Sequence, residues 1–316
     1  MKQAKIINLI GRRKDTKSVE SIRDFLIIRK GIEKKHIRGY ARAYKCKLDQ
    51  TKFAVMVSSP YIFNNEIIPK YSDFWFHPFK NPEQYLPSNT EGCLMSESDF
   101  IDPLFVPCMG RSKNPKWDYF YFTIGGHDGS NFKGFDLFLE MVPHLNNAGL
   151  KGVVIVYGKH PKTKKSHYIF MKENNIKIMR NALSYKDVGL LMSRCRFGIF
   201  PNILDCSPRM LTESIVRNVP VLVNENILGG WKYINDETGV FFNKKNIPQS
   251  INKILTSEFN PHQNFMQKYG FINSSVKFAN ILSERWPIFK DFDMVAFSDF
   301  KRVMNFKAVK NYEIPV

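Results

Sequence analysis

The second half of the chain alternates apolar runs with amphipathic segments, and this alternation restricts the folds open to it. The apolar runs have the length of strands and are Tyr119–Gly125, Val153–Tyr157, Lys177–Met179, Phe197–Phe200 and Val221–Val223. The segments between them place apolar residues at helical spacing, as Phe135, Phe138 and Val142 do. Apolar strands that alternate with amphipathic helices are typical of parallel sheets that are buried on both faces. The sequence therefore predicts an α/β fold with a doubly wound parallel sheet.

A less regular region precedes this alternation. Strand-like runs occur there too (KIINLI, KFAVMVS and DFWFHPF), but prolines recur from Pro60 to Pro115. The segment SKNPKW, residues 112–117, has the composition of a linker. We therefore predict a domain boundary there, with an N-terminal domain over residues 1–117 and a second domain over residues 118–280.

Cysteine usage and hydropathy bear on where the protein resides. The five cysteines are widely spaced and include no CxxC pair, which favours reduced thiols over disulfides or a zinc site. No apolar run approaches the roughly 18 residues that indicate a membrane span. The first residues, MKQAKIINLIGRRKD, lack a small-residue cleavage site and indicate a first strand instead of a signal peptide. We expect a cytoplasmic protein.

The formal net charge of +18 is concentrated at the start of the chain. Residues 1–50 hold 15 Lys and Arg against 5 Asp and Glu, a balance of +10. Such a region attracts polyanions, for example nucleic acid, acidic lipid or acidic glycan. The alternative is that these charges form the solvated side of a core helix, because Ile22, Phe25 and Leu26 recur at helical spacing.

Two acids eight positions apart, Asp205 and Glu213, flank the predicted start of a helix. Ser207 is a good N-cap and Pro208 a good first residue, so we predict a helix from Pro208 to about Asn218. The unpaired N–H groups and the dipole at such a start suit a phosphate. With one acid on each side of this helix start, the two carboxylates would bind a sugar nucleotide from both sides. The alternative is an ordinary strand–loop–helix–strand unit with surface acids.

A second candidate phosphate site is the glycine-rich loop 125–134, GGHDGSNFKG, at the same predicted edge of the sheet. Glycines allow a backbone to approach a ligand closely, and Lys133 stands at the mouth of the next helix as a cation. The spacing is neither that of a P-loop nor that of a GxGxxG fingerprint. The alternative is a flexible connection between a strand and a helix.

Six segments in order between Phe120 and Phe242 resemble the nucleotide-binding half of GT-B glycosyltransferases, especially glycosyltransferase family 4. The family's strand, glycine-rich loop, Lys-Gly and helix correspond to TIGGHDGSNFKGFDLFLEMVPHL. Its later strands and helix correspond to GVVIVYG and YKDVGLLMSRCRFGIFPN. Its hallmark, Glu-x7-Glu followed by Gly-x-Pro-Val, corresponds to Asp205-x7-Glu213 and to NVPV at residues 218–221. Its Thr-Gly corresponds to residues 238–239.

The resemblance implies a GT-B fold, with two Rossmann-like, doubly wound domains that face a cleft. It also implies that the tail 281–316 crosses back to complete the N-terminal domain. The implied activity is transfer of a sugar from a nucleoside-diphosphate sugar to a glycan or glycoconjugate acceptor, generally with retention of configuration. The donor is a co-substrate, so we expect no cofactor. Fixed protein charge is expected to replace a metal ion at the leaving diphosphate.

The resemblance assigns the donor diphosphate to residues of both loops. Lys133 would neutralise it, and backbone N–H groups in the segment formed by Ser207, Pro208 and Arg209 would bind it. Gly126 belongs to the glycine-rich loop and stands where the family commonly has Arg.

The resemblance also assigns the sugar, the ribose and the base. Asp205 would contact donor-sugar hydroxyls, Glu213 would accept from the ribose hydroxyls, and the segment from Asn181 to Ser184 would lie along the base. His127 would assist the acceptor, or else it is only a loop residue. The expected catalytic residues are Asp205, Lys133 and His127.

The chain also departs from the family. Asp205 is one methylene shorter than the usual Glu, and Gly126 lacks the usual Arg charge. The N-terminal half carries no motif of the family. Two other classes of protein therefore stay open: a nucleic-acid-binding or DNA-modifying protein that uses the basic residues 1–50, and a GT-B-like binding protein that has lost activity.

Overall fold

The computed structural model describes residues 25–29, 52–56, 74–86, 88, 91–104, 106–110, 112–124, 133–157, 165–180, 183–285, 295–297 and 303–305. The chain divides into two compact units. The first unit comprises Met1–Phe100 and Tyr269–Val316, and the second comprises Ile101–Lys268.

The first unit holds a parallel sheet with the strand order β1-β2-β3-β4. The strands are β1 (Phe25–Arg29), β2 (Lys52–Met56), β3 (Phe74–His77) and β4 (Gly92–Leu94). The prediction of a helix with Ile22, Phe25 and Leu26 on one face is wrong for the part described, because FLIIR pairs with KFAVM in parallel. The β-branched residues Ile27 and Ile28 suit that strand. The predicted first strand KIINLI lies outside the described residues.

The second unit holds a parallel sheet of six strands in the order β10-β9-β8-β5-β6-β7. The strands are β5 (Trp117–Ile124), β6 (Gly152–Tyr157), β7 (Ile176–Met179), β8 (Cys195–Phe200), β9 (Val221–Asn224) and β10 (Gly239–Phe242). From β5 the chain moves outward to β7, then returns to β8 on the other side of β5 and moves outward to β10. This is the Rossmann order, and its direction changes between β5 and β8. The predicted doubly wound parallel sheet is confirmed.

An α-helix follows each of these strands except β9, which is followed by a 3-10 helix (Trp231–Tyr233). The α-helices are α1 (Phe135–Asn147), α2 (Lys165–Glu173), α3 (Tyr185–Ser193), α4 (Arg209–Val216), α5 (Ile247–Thr256) and α6 (Pro261–Lys268). Strand β8 begins two residues before the predicted Phe197, because Cys195 already pairs with Trp117 of β5. The preceding helix therefore ends at Ser193.

The core of the second unit lies between the sheet and its helices. Tyr121 of β5 stacks on Phe138 of α1 with ring centroids 4.2 Å apart, and Ile199 and Leu222 of the neighbouring strands are fully buried in the same cluster. This packing orients α1 against β5, and Gly134, directly before α1, lies against Pro201 at the end of β8.

The chain passes from the first unit to the second after Phe100 and returns at Tyr269, while the domain boundaries at 117 and 280 stay a prediction. Residues after Phe100 belong to the second unit, where the Ser112 amide donates to the Ser193 carbonyl at 3.1 Å and the Lys116 amide to that of Arg194 at 2.9 Å.

The returning segment contains α7 (Gly270–Arg285) and an antiparallel pair, β11 (Val295–Phe297) and β12 (Val303–Asn305). Phe278 of α7 packs on Phe76 of β3 with ring centroids 4.9 Å apart, and the Ser274 hydroxyl donates to the Asp99 carbonyl at 2.7 Å. Among the helices in the described part of the chain, none combines the length and apolar character of a membrane span.

Candidate functional site

The candidate site lies where the direction of the sheet order changes, at the carboxyl ends of β5 and β8. Lys133 ends the loop after β5 and Asp205 lies in the loop after β8. Although 72 positions separate them, the Lys133 Nζ lies 2.5 Å from the Asp205 Oδ2. The Asn202 Nδ2 donates to the same oxygen at 2.8 Å. The Lys133 and Asp205 side chains are only 16% and 11% exposed, so this ion pair is largely shielded from water.

Contacts with Tyr121 of β5 and with Pro201, directly after β8, fix the backbone at Lys133 and Gly134. The Tyr121 hydroxyl donates to the Lys133 carbonyl at 2.9 Å. Burial raises the pKa of Tyr121 well above its usual value, so the phenol stays a donor. Gly134, which caps α1, has φ 64°, and a Cβ there would lie 1.9 Å from the Pro201 carbonyl oxygen. Only glycine allows Lys133 to approach the end of β8 this closely.

The Asp205 loop is supported by the loop that follows β9. The Leu228 amide donates to the Ile203 carbonyl at 2.8 Å, and the Gly229 amide donates to the Asp205 carbonyl at 2.9 Å. A Cβ on Gly229 would lie 2.0 Å from the Cys206 carbonyl oxygen, so the two loops touch through their backbones. These contacts fix the backbone that carries the Asp205 carboxylate.

Helix α4 begins one residue later than predicted. Its N-cap is Pro208, whose ψ of 83° is not helical, so Ser207 is not the N-cap. The helix ends at Val216, because Asn218 adopts φ 64° and lets the chain turn away. Asn is one of the few residues besides Gly that tolerate this left-handed conformation.

Glu213 lies about one turn into α4, with its side chain only 2% exposed. The Arg209 Nε donates to Glu213 Oε1 at 2.8 Å, and the Arg217 Nη1 lies 3.6 Å from Oε2. Burial raises the pKa of Glu213 above its ordinary value, while the Arg209 and Arg217 charges and the Tyr185 hydroxyl oppose this shift. Within the described part of the chain, Oε2 is a buried oxygen that accepts no hydrogen bond.

Ser184 caps helix α3 next to these residues. Its hydroxyl accepts from the Asp187 amide at 3.1 Å and donates to the Asp187 carboxylate at 2.5 Å. The next residue, Tyr185, faces Glu213. The other predicted site residues Gly126, His127 and Asn181 lie outside the described residues, as do residues 1–50 apart from 25–29.

No role was predicted from the sequence for three residues of the site: Arg217, Asn202 and Tyr185. Arg217 follows Glu213 at the i,i+4 spacing of a helical ion pair, so that spacing was a usable signal. Tyr185 meets Glu213 only through the fold, whereas Asn202 meets Asp205 three positions along the same loop. Across the described ranges, no group of three or more His, Cys, Asp or Glu side chains is placed to hold a metal ion.

The arrangement offers a lysine ammonium, a carboxylate and a helix start at one edge of a sheet, followed by a buried carboxylate. An ammonium and a helix N-terminus both favour negative charge, and carboxylates accept hydrogen bonds from hydroxyls. These groups suit a ligand that combines phosphates with hydroxyl groups.

No protein-family model matches the sequence, and no curated protein matches it either. Solved structures do share its fold. The sucrose-phosphate synthase from Thermosynechococcus elongatus is similar with a TM-score of 0.55 and 9% identity, over 80% of this chain and 77% of that chain. A glycosyltransferase from Rickettsia africae is similar with a TM-score of 0.60 and 14% identity, over 85% of this chain and 78% of that chain.

The pneumococcal O-GlcNAc transferase GtfA, solved in complex with UDP and GlcNAc, is similar with a TM-score of 0.59 and 13% identity. The alignment covers 86% of this chain and 58% of that chain. The protein therefore has the GT-B fold, α/β with Rossmann-like parallel sheets, as the sequence predicts. At such identities the likeness concerns the fold.

Proposed function

We propose that this protein is a glycosyltransferase of family 4 that moves a sugar from a nucleoside-diphosphate sugar to a glycan or other acceptor. One observation carries the proposal: Lys133 and Asp205 come from different loops and meet at 2.5 Å beside the start of α4. In Rossmann-like sheets this position, at the change in strand order, is where nucleotide ligands bind.

The diphosphate is assigned to Lys133 and to the segment Ser207, Pro208 and Arg209 at the helix start. A leaving nucleoside diphosphate gains negative charge during transfer, and preorganised positive groups stabilise that charge. Lys133 and the α4 N-terminus would thus take the role that Mg²⁺ has in other transferases. Metal independence and retention of configuration are part of this proposal by resemblance to family 4.

The sugar is assigned to Asp205. Both hydrogen bonds described above, from Lys133 and from Asn202, end on Oδ2. Oδ1 is therefore the oxygen that we expect to accept from a donor-sugar hydroxyl. Lys133 would then touch the diphosphate and the residue that orients the sugar, and so link the two parts of the donor.

The ribose is assigned to Glu213. Carboxylates accept hydrogen bonds from hydroxyls, and we assign the donor ribose hydroxyls to the Glu213 carboxylate, which lies one helical turn after Arg209. The roles of Asn181 and Ser184 at the base, of Gly126 in the loop and of His127 at the acceptor stay predictions. UDP is the first nucleotide to test, because the similar transferase GtfA was solved with UDP.

Thermal unfolding with UDP and GDP tests the proposal directly. A nucleotide at 100 times its dissociation constant adds roughly 2.7 kcal/mol to the free energy of unfolding, which in a unit of this size raises Tm by about 5 to 11 °C. Lys133→Ala should lose most of that shift. Lys253→Ala, which removes an exposed lysine paired with Asp236, should keep it.

A protein that shows no shift with either nucleotide at millimolar concentration would contradict the proposal. A protein that binds the nucleotide but neither hydrolyses nor transfers any UDP-sugar or GDP-sugar would be the inactive GT-B-like binder. Binding to nucleic acid with steep salt dependence, and to neither nucleotide, would favour the polyanion-binding alternative.

A further inference from the structure

Arg217 is a fully buried arginine at the C-terminal end of α4. Its side chain is 2% exposed, and its guanidinium carbon lies 5.4 Å from the centre of the Tyr185 ring. Its Nη1 donates to the Glu213 carbonyl oxygen at 3.3 Å and lies 3.6 Å from Glu213 Oε2. Arginine is rarely buried unless it is paired with an acceptor, and here the acceptor is Glu213.

Gly189 makes room for this guanidinium. It is buried in the interior of α3, where glycine weakens a helix. A Cβ at this position would lie 2.8 Å from both the Nε and the Nη2 of Arg217. Any larger residue at 189 would therefore displace Arg217 from its place beside Glu213.

The two arginines that contact Glu213 differ in their surroundings. Arg209 is 42% exposed and is the first residue of α4, where the donor diphosphate is expected. A phosphate there would compete with Glu213 for the Arg209 guanidinium. Arg217 is enclosed by protein and cannot turn toward a bound donor, so its charge stays beside the Glu213 carboxylate when the donor binds.

We infer that Arg217 is a positioning residue that holds the Glu213 carboxylate toward the donor ribose, and that Gly189 is glycine to admit it. The inference rests on the proposed function and names the residue on which ribose recognition depends. Arg217 touches no part of the donor itself and acts only through Glu213.

The test measures how strongly the protein distinguishes UDP from 2′,3′-dideoxy-UDP, which has the phosphates and base but lacks the ribose hydroxyls. A hydrogen bond to a charged group corresponds to about tenfold or more in affinity, so the wild type should prefer UDP by at least about that factor. Arg217→Met and Gly189→Ala should reduce this preference to near unity while leaving pyrophosphate binding unchanged. Arg217→Lys should restore part of it.

Arg196→Met is the matched control, because Arg196 is an exposed arginine of the same unit, paired with Asp118. It should keep the wild-type preference for UDP. If Arg217→Met fails to fold, two other comparisons test the inference. One compares Gly189→Ala with the wild type, and the other compares Glu213→Gln with the double variant Glu213→Gln/Arg217→Met. The double variant should lose no more of the preference than Glu213→Gln does, because Arg217 acts through Glu213.

Folded Gly189→Ala and Arg217→Met proteins with the wild-type preference would overturn the inference. So would a wild type that binds UDP and dideoxy-UDP equally, since Glu213 would then not contact the ribose. In both cases the proposed function stands, because UDP still binds. A wild type that binds neither UDP nor GDP overturns the proposed function and this inference together.

Discussion

Replacing Asp205 with Asn should separate the two expected roles of the Lys133–Asp205 pair. The substitution keeps the size of the side chain and removes only its charge. Lys133 then loses a charge-assisted hydrogen bond of 2.5 Å in a place where its side chain is 16% exposed. Such bonds are worth about 1.5–3 kcal/mol, which in a unit of this size lowers the Tm of the nucleotide-free protein by about 3 to 12 °C.

The same change should have the opposite effect on nucleotide binding. With Asp205 neutral, Lys133 has no competing carboxylate, so the diphosphate should bind at least as tightly and raise Tm by more than in the wild type. Turnover should nevertheless fall about ten- to a hundredfold. The sugar gains positive charge in the transition state, and in the variant no carboxylate at position 205 stabilises that charge.

Thermal unfolding with and without UDP, followed by steady-state kinetics with the active donor, measures all three effects. Asp236→Asn is the matched control: Asp236 pairs with Lys253 at 3.0 Å but is 92% exposed, so its loss should leave Tm and kcat unchanged. An Asp205→Asn protein with the wild-type Tm and kcat would show that the pair contributes neither to stability nor to transfer.

Glu213→Ala should raise KM for the donor about ten- to a hundredfold and lower kcat far less, because the ribose does not change during transfer; equal losses in both constants would argue against a ribose contact. Burial raises the pKa of Glu213 above 4.5 despite the opposing Arg209 and Arg217 charges and the Tyr185 hydroxyl. UDP affinity measured by calorimetry should therefore weaken as pH falls through that raised pKa. The linked contribution to folding stability has the opposite sign: it is complete below 4.5 and is lost as pH rises through the folded pKa. Gly134→Ala should cost about 2–4 kcal/mol in denaturant unfolding, from a left-handed φ and a clash with Pro201. Gly149→Ala, with φ 71° and open space around it, should cost only about 1–2 kcal/mol; equal costs would show that the contact with Pro201 is unimportant.

The sheet and helices of the second unit were predictable because their signals are local. Phe135, Phe138 and Val142 repeat at helical spacing within one segment, and all are buried in α1. The short run FLIIR carried an ambiguous signal: Phe25 and Leu26 fit a helical spacing with Ile22, but a short apolar run fits a strand equally well. Its pairing with KFAVM, more than twenty positions away, decides the matter.

The sequence predicts the start of α4 one residue too early, at Pro208. Ser-Pro is a favourable opening for a helix, yet Pro208 takes a ψ of 83° and α4 begins at Arg209. The ring of proline fixes φ and leaves ψ to its surroundings. Those surroundings include the loop after β9, where a Cβ on Gly230 would lie 2.4 Å from the Cγ of Pro208.

Local sequence was enough to predict that Asp205 and Glu213 flank a helix start at the carboxyl edge of a parallel sheet, because strand and helix periods are properties of consecutive residues. The contact of Lys133 with Asp205 across 72 positions, and the space that Gly189 of another helix leaves for Arg217 beside Glu213, follow from the three-dimensional packing alone. Both depend on strand order and close backbone packing. Strand order and close packing arise when all six strands are buried together, and no short stretch of sequence encodes them.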